Sequence, residues 1–260
     1  MNNSFKKLTA VVCGSEESND DLKKQFKHIG IEINFLKTIS ILPLPIDDIS
    51  ILDKEYDYTI FTSKHSVTCF FDLLKKNDKQ LVTKKVICIG KKTKEVCLTY
   101  GDFNIDIPVQ NSSSGIFTYF LNKYLIDKSI LIPGSKISNL WYVDRLKTNG
   151  ADVKFIPVYD NIATKRDELL EVLEEINKSK IDLFIFTSPS AFNNLVEIEK
   201  IDDVSKYFSG KIIAAIGDVT KKGIEEKRLK VDIVPENFNF NDLIKSIEKF
   251  YLKTEKNENV

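Results

Sequence analysis

Short apolar runs rich in β-branched and aromatic residues alternate along this chain with stretches where apolar residues recur every three or four positions. The runs at 9–13, 32–36, 58–61, 86–89 and 106–109 read as strands, and the periodic stretches at 20–29, 63–76, 92–99 and 114–125 as amphipathic helices. Strands return at 129–132, 152–157, 183–186, 212–216 and 232–234. These runs are apolar without a gap, as strands buried on both faces are, so the pattern predicts parallel sheets covered by helices. The charged tail, 253–260, is expected to fray.

The pattern occurs twice. Tyr58-Thr59-Ile60-Phe61-Thr62-Ser63 matches Leu183-Phe184-Ile185-Phe186-Thr187-Ser188. Ile89-Gly90-Lys91-Lys92-Thr93 matches Ile216-Gly217-Asp218-Val219-Thr220, and Ile105-Asp106-Ile107-Pro108 matches Val231-Asp232-Ile233-Val234-Pro235. Gly14 and Gly30 share their interval with Gly134 and Gly150. The offset, about 120 to 127 residues, is too long for a solenoid unit and predicts two homologous α/β domains. Five strands and about five helices per half suggest small doubly wound domains of flavodoxin-like or Rossmann-like type.

Composition narrows the partners. Lys and Arg total 38 and Asp and Glu total 38, giving zero formal net charge, which argues against a nucleic-acid surface. No apolar stretch approaches the roughly 18 residues of a membrane helix, and the first residues read as a strand start rather than an export signal. A cytoplasmic protein is therefore expected, with a monomer as the default. Positive charge is nearly all Lys, since Arg occurs only at 145, 166 and 228, so few bidentate clamps on an anion are available. The four cysteines, Cys13, Cys69, Cys88 and Cys97, lack metal or redox spacing and read as reduced core thiols. His28 and His65 are the only histidines, too few for a metal cluster, so neither metal nor cofactor is expected. Of the two, His65, just past a strand end, is the better candidate for chemistry.

Ligands of open parallel sheets bind beyond the carboxyl ends of the strands. Three duplicated segments stand there: Thr62-Ser63 with Thr187-Ser188, the turns at Gly90 and Gly217, and the polar runs 111–115 and 237–241. Each feeds a helix N-terminus, where free N–H groups and the helix dipole favour an anion. For any one residue, a simple cap (Ser63, Ser188, Ser114, Asn241) or a tight turn (Gly90, Gly217) is the favoured explanation. As a duplicated set they predict an anion receptor built mainly from backbone amides, Ser and Thr. Neither a dinucleotide fingerprint nor a P-loop is present.

The ordered set of Phe-Thr-Ser strand ends, both Ile-Gly-x-x-Thr turns, and Gly150-Ala151-Asp152-Val153 leading to Pro157-Val158-Tyr159 resembles the uroporphyrinogen-III synthase family. The resemblance spans essentially the whole chain. It implies two parallel-sheet domains joined by a two-stranded linker, with a cleft between them. One would hold 1–37 and 164–260 and the other 40–157, with 38–39 and 158–163 as linker. It implies cyclisation of hydroxymethylbilane, a linear tetrapyrrole with eight carboxylates, to uroporphyrinogen III. Ring D is inverted through a spiro intermediate, without a cofactor. It also implies a transient hand-over of substrate from the preceding deaminase.

By the resemblance, Tyr159 is the catalytic candidate, assisting departure of the hydroxyl. Thr62, Ser63, Lys64, Gly90, Thr93, Ser114, Thr187, Ser188, Gly217 and Thr220 are the substrate-binding candidates. Family members often carry an arginine after the first strand of each domain, where this chain has Cys13-Gly14-Ser15 and Pro133-Gly134-Ser135-Lys136. The rival readings are a non-catalytic two-domain ligand-binding protein with a hinged cleft, and a glycosyltransferase with two facing domains.

Overall fold

A computed structural model describes residues 8–15, 19–138 and 140–258, and of these only the backbone from 253 onward. The chain forms two compact units, one of residues up to Ser40 together with those from Ile162, the other Ile41–Asn161. It begins in the first unit with β1 (Leu8–Gly14), α1 (Asp20–His28) and β2 (Ile31–Lys37), and leaves along β3 (Ile39–Pro43). The second unit carries a 3-10 turn (Ile49–Asp53), β4 (Glu55–Phe61), α2 (Lys64–Lys76), β5 (Val82–Cys88), α3 (Lys91–Leu98) and β6 (Ile105–Asp106). It continues through α4 (Ser113–Phe120), β7 (Ser129–Ser135) and α5 (Trp141–Thr148) to β8 (Asp152–Ala163), which leads back. The first unit is completed by a 3-10 turn (Arg166–Leu169), α6 (Leu170–Lys178), β9 (Leu183–Phe186) and α7 (Pro189–Ile198). Then come α8 (Val204–Tyr207), β10 (Ile212–Ala215), α9 (Asp218–Glu225) and α10 (Phe240–Glu258).

The sheets have orders β10-β9-β1-β2 and β3-β8-β7-β4-β5-β6. The pairs of β1 with β2 and β9, of β9 with β10, of β4 with β5 and β7, of β5 with β6 and of β7 with β8 are all parallel. The duplication is therefore exact in order but crossed in membership. β1, β2, β9 and β10 correspond to β7, β8, β4 and β5, and each unit takes two of these strands from each half of the sequence.

Strand alternation divides each unit's apolar residues between the two faces of its sheet. In the first unit Val11, Cys13, Phe184, Phe186 and Ile213 enter one core, and Ala10, Val12, Ile33, Ile185 and Ala214 the other. In the second, Phe61, Val86, Cys88 and Leu131 face one way, and Ile60, Ile87, Ile130 and Ile132 the other. All four cysteines are buried and free of disulfides. Gly30 and Gly150, matched after α1 and α5, adopt φ of 78° and 90°, the left-handed conformation that ends a helix. No helix among the described residues is long and apolar enough to cross a membrane.

Two expectations need correction. The strand expected at 232–234 is only a bridge between Ala214 and Ile233, and its twin β6 is two residues long. Pro108 and Pro235 follow closely, and proline cannot donate to a ladder. The helix expected over 114–125 stops at Phe120, where Leu121 N–H turns back to the Thr118 carbonyl. α10 continues to Glu258, past the start of the charged tail at 253; the last two residues lie outside the described set. Leu243, Ile244 and Ile247 anchor that helix in the core.

Candidate functional site

In the second unit, β4 and β7 are neighbours whose chains depart toward opposite edges of the sheet, a place where ligands of such sheets bind. β4 ends in Thr62-Ser63. The Ser63 Oγ accepts the Ser66 N–H at 2.9 Å and so caps α2, while Ser66 Oγ bonds back to Ser63. Ser63 Oγ also lies 3.0 Å from the Tyr159 hydroxyl.

A register break brings Tyr159 there. β7 and β8 pair regularly up to Gly134 with Pro157, and then Ser135 pairs with Tyr159, so that Val158 is an extra residue. The bulge puts Val158 and Tyr159 into the same core, although adjacent strand residues ordinarily point to opposite faces. Lys136 N–H fixes the Tyr159 carbonyl at 2.8 Å, and Asn161 Nδ2 donates to Ser135 Oγ at 3.3 Å. Tyr159 is buried, and its ring centroid is 6.1 Å from that of His65. Burial pushes the phenol above its ordinary value near 10, and the Ser63 hydrogen bond opposes this. The hydroxyl is therefore protonated across the physiological range and suits hydrogen-bond donation.

Beside it, the carboxyl end of β5 leads into α3, whose N-cap is Gly90 and whose first turn has no side-chain cap. Thr93, in that turn, is buried, and Lys91 and Lys92 are exposed. α4 is capped by Ser112, whose Oγ accepts Gly115 N–H at 3.1 Å. Ser114, expected as the cap, is instead an exposed residue of the first turn.

The first unit repeats this end of the sheet. Ser188 Oγ accepts Ala191 N–H at 3.0 Å and caps α7. The Thr187 hydroxyl donates to the Cys13 carbonyl at 3.0 Å, so its one proton is already used. Gly217 starts α9 without a side-chain cap, and Thr220 is buried in its first turn. Asn239, not Asn241, begins α10, accepting Asp242 N–H at 2.9 Å.

Thr62, Ser63, Lys64, Gly90, Thr93, Ser114 and Tyr159 thus share one unit, and Thr187, Ser188, Gly217 and Thr220 the other. The α2, α7 and α4 termini, and that of α10, use their own side chains, whereas α3 and α9 leave first-turn amides without one. The arginines stand elsewhere: Arg145 in the last turn of α5, Arg166 with Glu199 at 3.5 Å, and Arg228 past the end of α9. The sequence reading missed Ser112, Asn239 and the bulge. The first two were detectable, since they stand at the same offset as Gly90 and Gly217.

Comparison with known proteins agrees with this architecture. Residues 20–245 match the family model described as uroporphyrinogen-III synthase HemD. The uroporphyrinogen-III synthase of Chlorobaculum parvum is 24% identical over 86% of this chain and 91% of that protein. A putative uroporphyrinogen-III synthase of Methanocaldococcus jannaschii is 24% identical over 92% of this chain and 98% of its own length. The fold is similar to the Helicobacter pylori uroporphyrinogen-III synthetase crystal structure, with a TM-score of 0.61 at 15% identity, covering 94% of this chain and 99% of that one. A mutant Thermus thermophilus enzyme gives a TM-score of 0.58 at 14% identity, covering 96% and 99%. A match across this much of the sequence shows that the chain belongs to the uroporphyrinogen-III synthase family.

Proposed function

We propose that this enzyme cyclises hydroxymethylbilane to uroporphyrinogen III, with Tyr159 as the group that assists loss of the terminal hydroxyl. The observation that carries this assignment is the Tyr159 hydroxyl, turned by the β8 bulge to 3.0 Å from Ser63 at the carboxyl end of β4. Tyr159 donates a hydrogen bond to the departing oxygen. The C–O bond breaks as the ring A pyrrole supplies electrons, and the pyrrole N–H proton is given up to balance the departing hydroxide, leaving a neutral azafulvene and water. Ring D attacks through its substituted carbon to give a spiro intermediate. Fragmentation and reclosure then join the inverted ring. Because the bilane closes unaided to the other isomer, the protein must favour one carbon over another. Hundredfold selectivity corresponds to roughly 2.7 kcal/mol between transition states, within reach of a few hydrogen bonds.

The substrate carboxylates are read here as ligands of the uncapped amides at Gly90 and Gly217, of the Ser63 and Ser188 hydroxyls, and of Lys64. Ser114 stays available at the surface, and Thr62, Thr93 and Thr220 line the same turns. Thr187, with its proton committed to Cys13, serves mainly to hold the strand end. The same reading takes the units as flavodoxin-like domains joined by a two-stranded linker. In support, the order of the first sheet follows the doubly wound pattern, and β3 and β8, along which the chain passes between units, are neighbours in one sheet. The test is to supply freshly generated hydroxymethylbilane, oxidise the products and separate the isomers. Enrichment of type III supports the assignment, and type I alone overturns it.

A further inference from the structure

The two copies of the strand-end site differ at equivalent positions. In the second unit the turn after β5 carries Lys91 and Lys92, both exposed, and Asn111 lies against Gly90, where an added Cβ would come within 3.3 Å of the amide. In the first unit the matching residues are Asp218, Val219 and Phe238. Phe238 lies against Gly217 so closely that an added Cβ would meet its ring at 2.9 Å, which only glycine avoids. Yet 61% of Phe238 is exposed, as is 76% of neighbouring Val219. Two polar positions of one copy have thus become an apolar shelf in the other, while an acid, Asp218, replaces a lysine.

We infer that Phe238 and Val219 form a stacking platform for one pyrrole ring of the bilane, so that the first unit adds a ring face to its helix-end amides where the second adds lysines. This rests on the cyclisation assigned above. The substrate offers both surfaces, electron-rich planar rings and carboxylate side chains. An aromatic side chain lying over a glycine can present its outer face to a planar ring, and offset or edge-on ring contacts add to simple burial. Asp218 weakens the pull on a carboxylate at this turn, and the lysines at the other copy strengthen it.

The test compares the unaltered enzyme with Phe238→Asn, which installs the residue of the other copy, Phe238→Leu and Phe238→Trp, in a fresh hydroxymethylbilane assay. The platform predicts that KM rises roughly fivefold to tenfold in Phe238→Asn. Phe238→Leu should fall between, and Phe238→Trp should match or improve on the original. Thermal midpoints should stay close together, since the side chain is mostly exposed. An unchanged KM in both Phe238→Asn and Phe238→Leu overturns the platform, as does a loss in Phe238→Trp equal to that in Phe238→Asn. If Phe238→Asn does not fold, Phe238→Leu and Phe238→Trp decide alone. Failure of the unaltered enzyme to make type III product would instead remove the cyclisation reading, so the two failures are distinguishable.

Discussion

Ser63 holds two tasks at once: its oxygen accepts the Ser66 amide and meets the Tyr159 hydroxyl. The two can be separated. Tyr159→Phe leaves the cap intact and is expected to lower kcat by about tenfold to a hundredfold, the scale of one hydrogen bond to a developing charge. Ser63→Ala should lower kcat as well, and should also cost about 1 kcal/mol of stability through the lost cap, read as a lower thermal midpoint. Full turnover with an unchanged isomer ratio in Tyr159→Phe would remove it from the chemistry. At this scale the sequence was partly legible. Ser63 and Ser188 stand directly between an apolar run and a periodic stretch, where caps belong. Ser114 and Asn241 were placed two residues too late, because runs such as Asn111-Ser112-Ser113-Ser114 offer several residues of equal cap propensity. The bulge at Val158 was invisible, since it depends on how β8 meets β7 rather than on any residue type.

Asp57 and Asp182, at matched positions where β4 and β9 begin, fasten each sheet at the end away from the site. Asp182 Oδ2 accepts Thr9 N–H at 3.1 Å, bridging to β1. Asp57 Oδ2 accepts Ser129 N–H at 3.0 Å, bridging to β7, and Lys84 Nζ meets Oδ1 at 3.0 Å. The Ser129 amide, then Lys84, holds the Asp57 carboxyl down at about 2. A carboxyl depressed in the folded state stabilises above its unfolded value near 3.9, and that contribution is lost as pH falls through about 2. Asp57→Asn should therefore reduce stability by about 1 to 2 kcal/mol at pH 7, with allowance for solvent screening. The gap between variant and unaltered protein should close on acidification toward pH 2. Urea denaturation at several pH values checks this, and a gap that persists at low pH would contradict it. Strand and helix positions were largely readable because apolar runs and helical periodicity are local signals. The β6 pair failed because a proline just beyond each run limits pairing that the run alone suggests.

Across the whole molecule, duplication is legible in sequence but strand partnership is not. Self-similarity says that β4 resembles β9 and β1 resembles β7; it does not say that β1 pairs with β9. The first unit is built from both ends of the chain, and the second is continuous. Residues 41–161 expressed alone are therefore expected to fold, giving a dispersed amide spectrum and a cooperative melt. Residues 162–260, deprived of β1 and β2, should not. A folded 162–260 fragment would contradict the crossed arrangement. The neutral charge and scarce arginine, awkward at first for a substrate with eight carboxylates, fit the recognition by amides and hydroxyls proposed above. The most direct measurement remains the isomer composition formed from fresh hydroxymethylbilane. The account predicts predominantly type III uroporphyrin after oxidation, and type I alone, at the proportion formed without protein, would contradict it.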